Sequence, residues 1–319
     1  MKVAVILTGA LRTIKKTIKY FKQNVLLNDN VDVFACIQND TTLSNDEWEN
    51  WMRSEIGPHL KSVTWFSLSE HSHWVHFRDN LLAHTNLRDS WKDYLTTSGS
   101  MVEHYQMYLS YLEMCKFEAF NGRYNYIIRC RTDTIFGKPL DFHWLKWSDC
   151  EVEQRMSKVN YELNKLGIDI TYINTLTYFM NTILSDSLIT NIPNITSEYT
   201  PAKHTSIPRT PSDLNEYIKK GEYILTYRAN LLYIVDRELF KLAPALPFIY
   251  FFVGSPYNTD YWFNSEEQFQ SICYLSNITI FNYTTEYDEK SLYEYDEKRY
   301  FDENYNLVNP HLVYCLIRN

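Results

Sequence analysis

Apolar residues run without a break through Val3-Ala4-Val5-Ile6-Leu7, the length of one strand, and the run gives way at Thr8-Gly9-Ala10-Leu11-Arg12. The period then changes. Ile14, Ile18, Phe21 and Val25 recur at helical spacing. A second strand-like run, Val31 to Ile37, ends in the polar Gln38-Asn39-Asp40, and a third covers Val63 to Phe66. Apolar strands alternating with helix predict an α/β chain whose mainly parallel sheet is covered by helices. Tyr105, Tyr108, Leu109, Leu112 and Ala119 predict a helix opened by a Ser100/Glu103 capping box and stopped at Asn121-Gly122. The strand Tyr126 to Arg131 follows and ends at Thr132-Asp133.

The rest of the pattern is less regular. Residues 67–98 read as loop with one or two short helices, and 141–167 as a charged helical stretch carrying Trp144 and Trp147. Residues 168–183 look strand-like. The four prolines between 191 and 212 predict a long loop of the kind that serves as a lid. Tyr223 to Val235 reads as a strand region and Arg237 to Leu242 as a short helix. Ser265-Glu266-Glu267-Gln268 forms a second capping box, opening a helix with Phe269, Ile272 and Cys273. The segment from 283 is rich in Tyr and acid and reads as a solvated surface. Nothing marks a sharp boundary, so the expected organisation is one domain over 1–282 with a tail, 283–319, packed on it.

Composition narrows the class. The 319 residues are 45% hydrophobic and 22% charged, enough apolar side chains for a sizeable core and too many for a disordered chain. A net charge of -8 without a long basic run argues against nucleic acid as a main partner. The 8 glycines form neither G-x-G-x-x-G nor a P-loop. No apolar run approaches membrane-spanning length. The opening lacks the cleavage pattern of a secretory leader, and the six cysteines are scattered with no C-x-x-C. Both features point to a cytoplasmic protein with reduced thiols.

In an open α/β sheet, ligands bind beyond the carboxyl ends of the strands. Three polar clusters fall at such ends: Thr8, Gly9 and Arg12; Asn39 and Asp40; Arg129, Arg131 and Asp133. Small residues after the first strand admit a ligand to the backbone, and helix amides with Arg12 favour an anion such as a diphosphate. Arg129 and Arg131 alternate with Cys130 and Thr132, so both face one side of the sheet. Asp133 offers a hard oxygen ligand for Mg2+ or Mn2+. Thr8-Gly9 also reads as a plain strand-to-helix turn, and the Arg/Arg/Asp group as a structural ion-pair network. His71, His73 and His76 read as surface loop rather than a zinc site, and His311 as an ordinary histidine rather than a late metal ligand.

Val3-Ala4-Val5-Ile6-Leu7-Thr8-Gly9-Ala10-Leu11-Arg12-Thr13 and Tyr124-Asn125-Tyr126-Ile127-Ile128-Arg129-Cys130-Arg131-Thr132-Asp133 resemble segments of bacterial and large-DNA-virus glycosyltransferases of the GT-A type. These are similar to the WavE-like lipopolysaccharide-synthesis group. Asp260-Tyr261-Trp262-Phe263-Asn264-Ser265-Glu266-Glu267-Gln268-Phe269 resembles that group's acceptor-side stretch. The resemblance implies a GT-A-like three-layer sandwich that transfers a sugar from a nucleotide-diphosphate donor to a carbohydrate hydroxyl. Thr8, Gly9 and Arg12 would then contact the nucleotide or diphosphate, and Asp133 the metal and donor phosphate. Arg131 stands where the D-x-D pattern has its first Asp. Asp260, Glu266 and Glu267 are the candidate bases, although Glu266 and Glu267 also suit a capped helix start. Tyr261, Trp262 and Phe263 could stack on a sugar. Two other classes are compatible with these residues: a catalytically silent nucleotide-sugar-binding protein, and a metal-dependent phosphate-ester hydrolase with a further carboxylate close to Asp133.

Overall fold

The computed structural model describes residues 1–27, 30–71, 99–137, 139–140, 223–227, 232–240, 279–281, 301–304, 306–308 and 314–316, with 75, 79, 96, 154, 157 and 161 as single positions. The strands are β1 (Val3–Ala10), β2 (Val31–Gln38), β3 (Leu60–Phe66), β4 (Tyr126–Arg131), β5 (Thr134–Phe136), β6 (Tyr223–Tyr227), β7 (Leu232–Asp236), β8 (Thr279–Phe281) and β9 (Tyr314–Leu316). The helices are α1 (Ile14–Asn24), α2 (Asn45–Ile56), α3 (Gly99–Asn121) and the single turn α4 (Arg237–Phe240). Among the described residues seven strands form one sheet in the order β3-β2-β1-β4-β7-β6-β8, and β5 pairs with β9 in a second. β1 pairs in parallel with β2 and β4, and β2 with β3, while β7 is antiparallel to both of its neighbours. The expectation of an α/β chain with a mainly parallel central sheet therefore holds.

Strand alternation divides the core between two faces. Val3, Val5 and Leu7 point to one face, where Ile14, Ile18 and Phe21 of α1 and Trp48, Met52 and Ile56 of α2 close over them. The intervening side chains point to the other face, which α3 covers. There the Phe34 ring meets Phe117 at a centroid distance of 5.7 Å. Helix, sheet and helix thus make three layers. None of the helices among the described residues is long and apolar enough to cross a membrane.

Several elements depart from the sequence expectation. β1 does not break at Thr8 but continues to Ala10, because β2 runs to Gln38 and supplies a partner as far as Ala10. α2 was not anticipated. Its cap is a capping box, with the Ser44 hydroxyl accepting from the Glu47 N–H and the Glu47 carboxylate accepting from the Ser44 N–H. Tyr223 to Val235 is not one strand region but two antiparallel strands, β6 and β7. On α3, Tyr105 and Tyr108 are buried as expected, yet Ala119 is exposed, and Val102, Met107, Tyr111 and Met114 are buried instead. His104 and Gln106 are buried too, so the first half of this helix is enclosed on more than one side. Phe301 lies in the stretch read as solvated surface, but it is buried with its ring 5.8 Å from that of Tyr20. Residues 141–153, 162–222 and 241–278, which include the Pro-rich loop and the second capping box, lie outside the described residues.

Candidate functional site

The chain lays down β1, β2 and β3 toward one edge of the sheet, then crosses back to place β4 on the other side of β1. Strand order reverses between β1 and β4. Beyond their carboxyl ends is the position at which open α/β sheets take ligands. The two ends are joined by Thr132. Its N–H donates to the Thr8 carbonyl (3.0 Å) and its hydroxyl to the Ala10 carbonyl (2.6 Å), while its own carbonyl accepts from the Thr17 hydroxyl of α1 (2.6 Å). Gly9 passes beneath this contact with φ of 131°, a conformation L side chains rarely adopt. A Cβ there would lie 2.6 Å from Thr132 Oγ1. The small residue therefore makes room for Thr132 itself, where the sequence had suggested room for a ligand.

The side chains of β4 form an alternating chain of charge on the α3 face, as the period of two requires. Arg129 is wholly buried, and its Nη2 contacts Glu103 Oε1 of α3 and Thr8 Oγ1 (3.3 Å). Arg131 presents its fork to Asp133, with Nε to Oδ1 at 2.8 Å and Nη2 to Oδ2 at 2.7 Å. Its Nη1 lies 3.6 Å from Glu103 Oε1. Glu103 was expected to close a cap with Ser100. Instead the helix already begins at Gly99, and the carboxylate serves both arginines. Two cations and two anions share one partly desolvated cluster, which holds together because each buried charge has a counter-charge. Cys130 points to the opposite face, and burial pushes its thiol up to about 12, so it is no nucleophile near neutral pH.

The expected site residues are placed as follows. Thr8, Gly9, Arg129, Arg131 and Asp133 converge at the β1/β4 edge. Thr8 and Arg129 are fully buried, so a ligand reaches neither unless neighbours move. Arg12 is exposed just past the same edge and makes no hydrogen bond or ion pair with the described residues. Helix α1 behind it has no side-chain cap and no acid in its first turn. Asn39 organises its own loop: its amide donates to the Leu43 carbonyl and Asn45 Oδ1, and its oxygen accepts from the Thr41 N–H and hydroxyl. Asp40 is exposed at the end of β2. Asp260, Glu266 and Glu267, with Tyr261, Trp262 and Phe263, lie outside the described residues, as do His73, His76 and His311. His71 stacks on Phe66 at 4.7 Å and shares Nδ1 with the Ser67 backbone.

As the side chains stand, the donor set does not fit a divalent cation. Both oxygens of Asp133 are on one guanidinium, Glu103 is on two, and no three His, Cys, Asp or Glu side chains among the described residues converge. A cation at Asp133 would have to displace the Arg131 fork against like charge.

No protein-family model matches the sequence, and no curated protein matches it either. Among solved structures it is similar to core-mannan synthase A (CmsA/Ktr4) from Aspergillus fumigatus in its Mn/GDP form, with 13% identity over 88% of this chain and 70% of that one and a TM-score of 0.30. A likeness at that level decides nothing about what this chain does, and the functional reading rests on its own residues.

Proposed function

We propose that the protein is a GT-A-like glycosyltransferase that moves a hexosyl or deoxyhexosyl group from a nucleotide-diphosphate donor to a carbohydrate hydroxyl. The observation that carries this reading is the Arg131–Asp133 fork at the strand-order reversal beside β1, with Arg12 exposed just past the end of β1. A leaving nucleoside diphosphate gains negative charge as the sugar bond breaks, and transfer needs that charge met by fixed donors. Arg131 and Arg12 supply positive groups beyond the ends of β4 and β1. Arg129 and Glu103 do not touch substrate in this scheme; they hold the strand end in place. An acceptor hydroxyl needs a base in an inverting reaction, and Asp260, Glu266 and Glu267 remain the candidates. Manganese or magnesium is not part of this scheme, since both oxygens of Asp133 are held by the Arg131 fork.

The test is a panel of UDP-, GDP- and dTDP-sugars, read by thermal shift and by donor hydrolysis. The expected result is stabilisation and slow hydrolysis with donors sharing one nucleotide. A folded protein that responds to none of them contradicts the proposal. The occupied carboxylate of Asp133 favours a second reading, a nucleotide-sugar binder without turnover. The same panel separates the two, since a silent binder is stabilised without hydrolysis.

A further inference from the structure

We infer that Arg131 is an exchangeable guanidinium, which leaves Asp133 for the pyrophosphate group of an incoming ligand while Arg129 stays fixed on Glu103. The inference rests on the reading of the β1/β4 edge as a nucleoside-diphosphate site and adds how that site receives its anion. The two arginines sit two residues apart on one face, yet they are built differently. Arg129 has no exposed side-chain surface, and its displacement would strand a charge between β4 and α3. The Arg131 side chain is 18% exposed. Its forked donors match a phosphate as well as a carboxylate, and a pyrophosphate brings more negative charge than Asp133 offers. Glu103, 3.6 Å from Nη1, stays beside Arg131 as a second counter-charge during the exchange.

Asp133 is then an internal competitor. Only 5% of its side chain is exposed, so an anion that takes Arg131 must leave a buried carboxylate without its partner. Removing the charge of Asp133 removes that opposition. An ordinary ligand-contacting residue would show the opposite behaviour, losing affinity when replaced.

Isothermal titration of the full chain in EDTA, with inorganic pyrophosphate, UDP and GDP as probes, tests this directly. Asp133→Asn is expected to bind pyrophosphate about tenfold more tightly than the parent protein, between the worth of an exposed pair and a buried one. Arg131→Lys, which keeps the charge and loses the fork, is expected to bind about tenfold more weakly. Glu70→Gln, exposed and outside the site, is the control for general charge. Its gain should vanish in high salt, whereas that of Asp133→Asn should persist, because a contact between neighbouring groups is screened less. Asp133→Ser replaces Asp133→Asn if the latter melts early. Unchanged or weaker binding in the Asp133 variants, or a gain erased by salt as in the control, overturns the inference. Nucleotide binding without the Asp133 gain overturns it and leaves the proposed function standing. Pyrophosphate binding with the gain, but no nucleotide binding, supports it and removes the proposed function. No anion bound by any variant removes both.

Discussion

Replacing Gly9 with Ala places a methyl group where the structure has none to spare. The residue sits at φ of 131°, and the added Cβ would lie 2.6 Å from Thr132 Oγ1 and 3.5 Å from Thr132 N. Two costs follow. Holding an L residue in that backbone region costs about 1–3 kcal/mol. Pushing the Thr132 hydroxyl away from the Ala10 carbonyl, which it reaches at 2.6 Å, forfeits about 1 kcal/mol more. The expected loss for Gly9→Ala is therefore about 2–4 kcal/mol, measured by urea unfolding with an unchanged slope. The steric share can be isolated. In a Thr132→Ala background the obstructing oxygen is gone, and the penalty of Gly9→Ala should fall by about 1 kcal/mol while the backbone share remains. Because Thr132 stands between Arg131 and Asp133, the single variant should also weaken nucleotide binding. A penalty under about 0.5 kcal/mol, or one unchanged by Thr132→Ala, would refute the idea that Gly9 is small to accommodate Thr132.

Glu103→Gln withdraws the carboxylate from the fully buried Arg129 and should cost about 3 kcal/mol of folding stability; a loss below about 1 kcal/mol would mean the pair does not anchor β4 to α3. Arg12→Ala should leave unfolding within about 0.5 kcal/mol of the parent, since the side chain is exposed and makes no bond to the described residues, yet lower nucleotide affinity several-fold; unaltered affinity removes Arg12 from the site. The Ser44 backbone N–H, then its hydroxyl, holds the Glu47 carboxyl below the usual carboxylate range. Its stabilising effect is thus complete above the ordinary unfolded value and fades as pH falls through the lowered one. The stability difference between the parent and Glu47→Gln should accordingly shrink on acidification, and a difference that grows instead would contradict the capping-box assignment.

How far the fold could be read from the residues depended on burial. β1, β2 and β4 were legible because strands covered on both faces are apolar at nearly every position, Asp32 and Arg129 being the buried charged exceptions, and α1 because Ile14, Ile18, Phe21 and Val25 all reach the same core. α2 carries an equally plain signal, Ser44 and Glu47 three apart before Trp48, Met52 and Ile56, which could have found it. The short β5, β8 and β9 span three residues each, too few for any periodicity. At the site, alternation placed Arg129 and Arg131 on one face. It could not reveal that Glu103 joins them, since a pairing across 26 residues of chain leaves no local pattern. Gly9 shows the same gap: its sequence context says that something approaches closely, and only the tertiary contact identifies it as Thr132. The ion-pair network that stood as the alternative for Arg129, Arg131 and Asp133 is what the side chains form, and the proposed exchange at Arg131 is how such a network could also serve a ligand.

A crystal structure of the protein soaked with the best-bound nucleoside diphosphate would address the β1/β4 edge directly. Density for the diphosphate beyond the ends of β1 and β4, with Arg131 turned from Asp133 onto it and Arg12 close by, is the expected result. A nucleotide seated elsewhere, with the Arg131 fork still closed on Asp133, would contradict both the site and the function drawn from it.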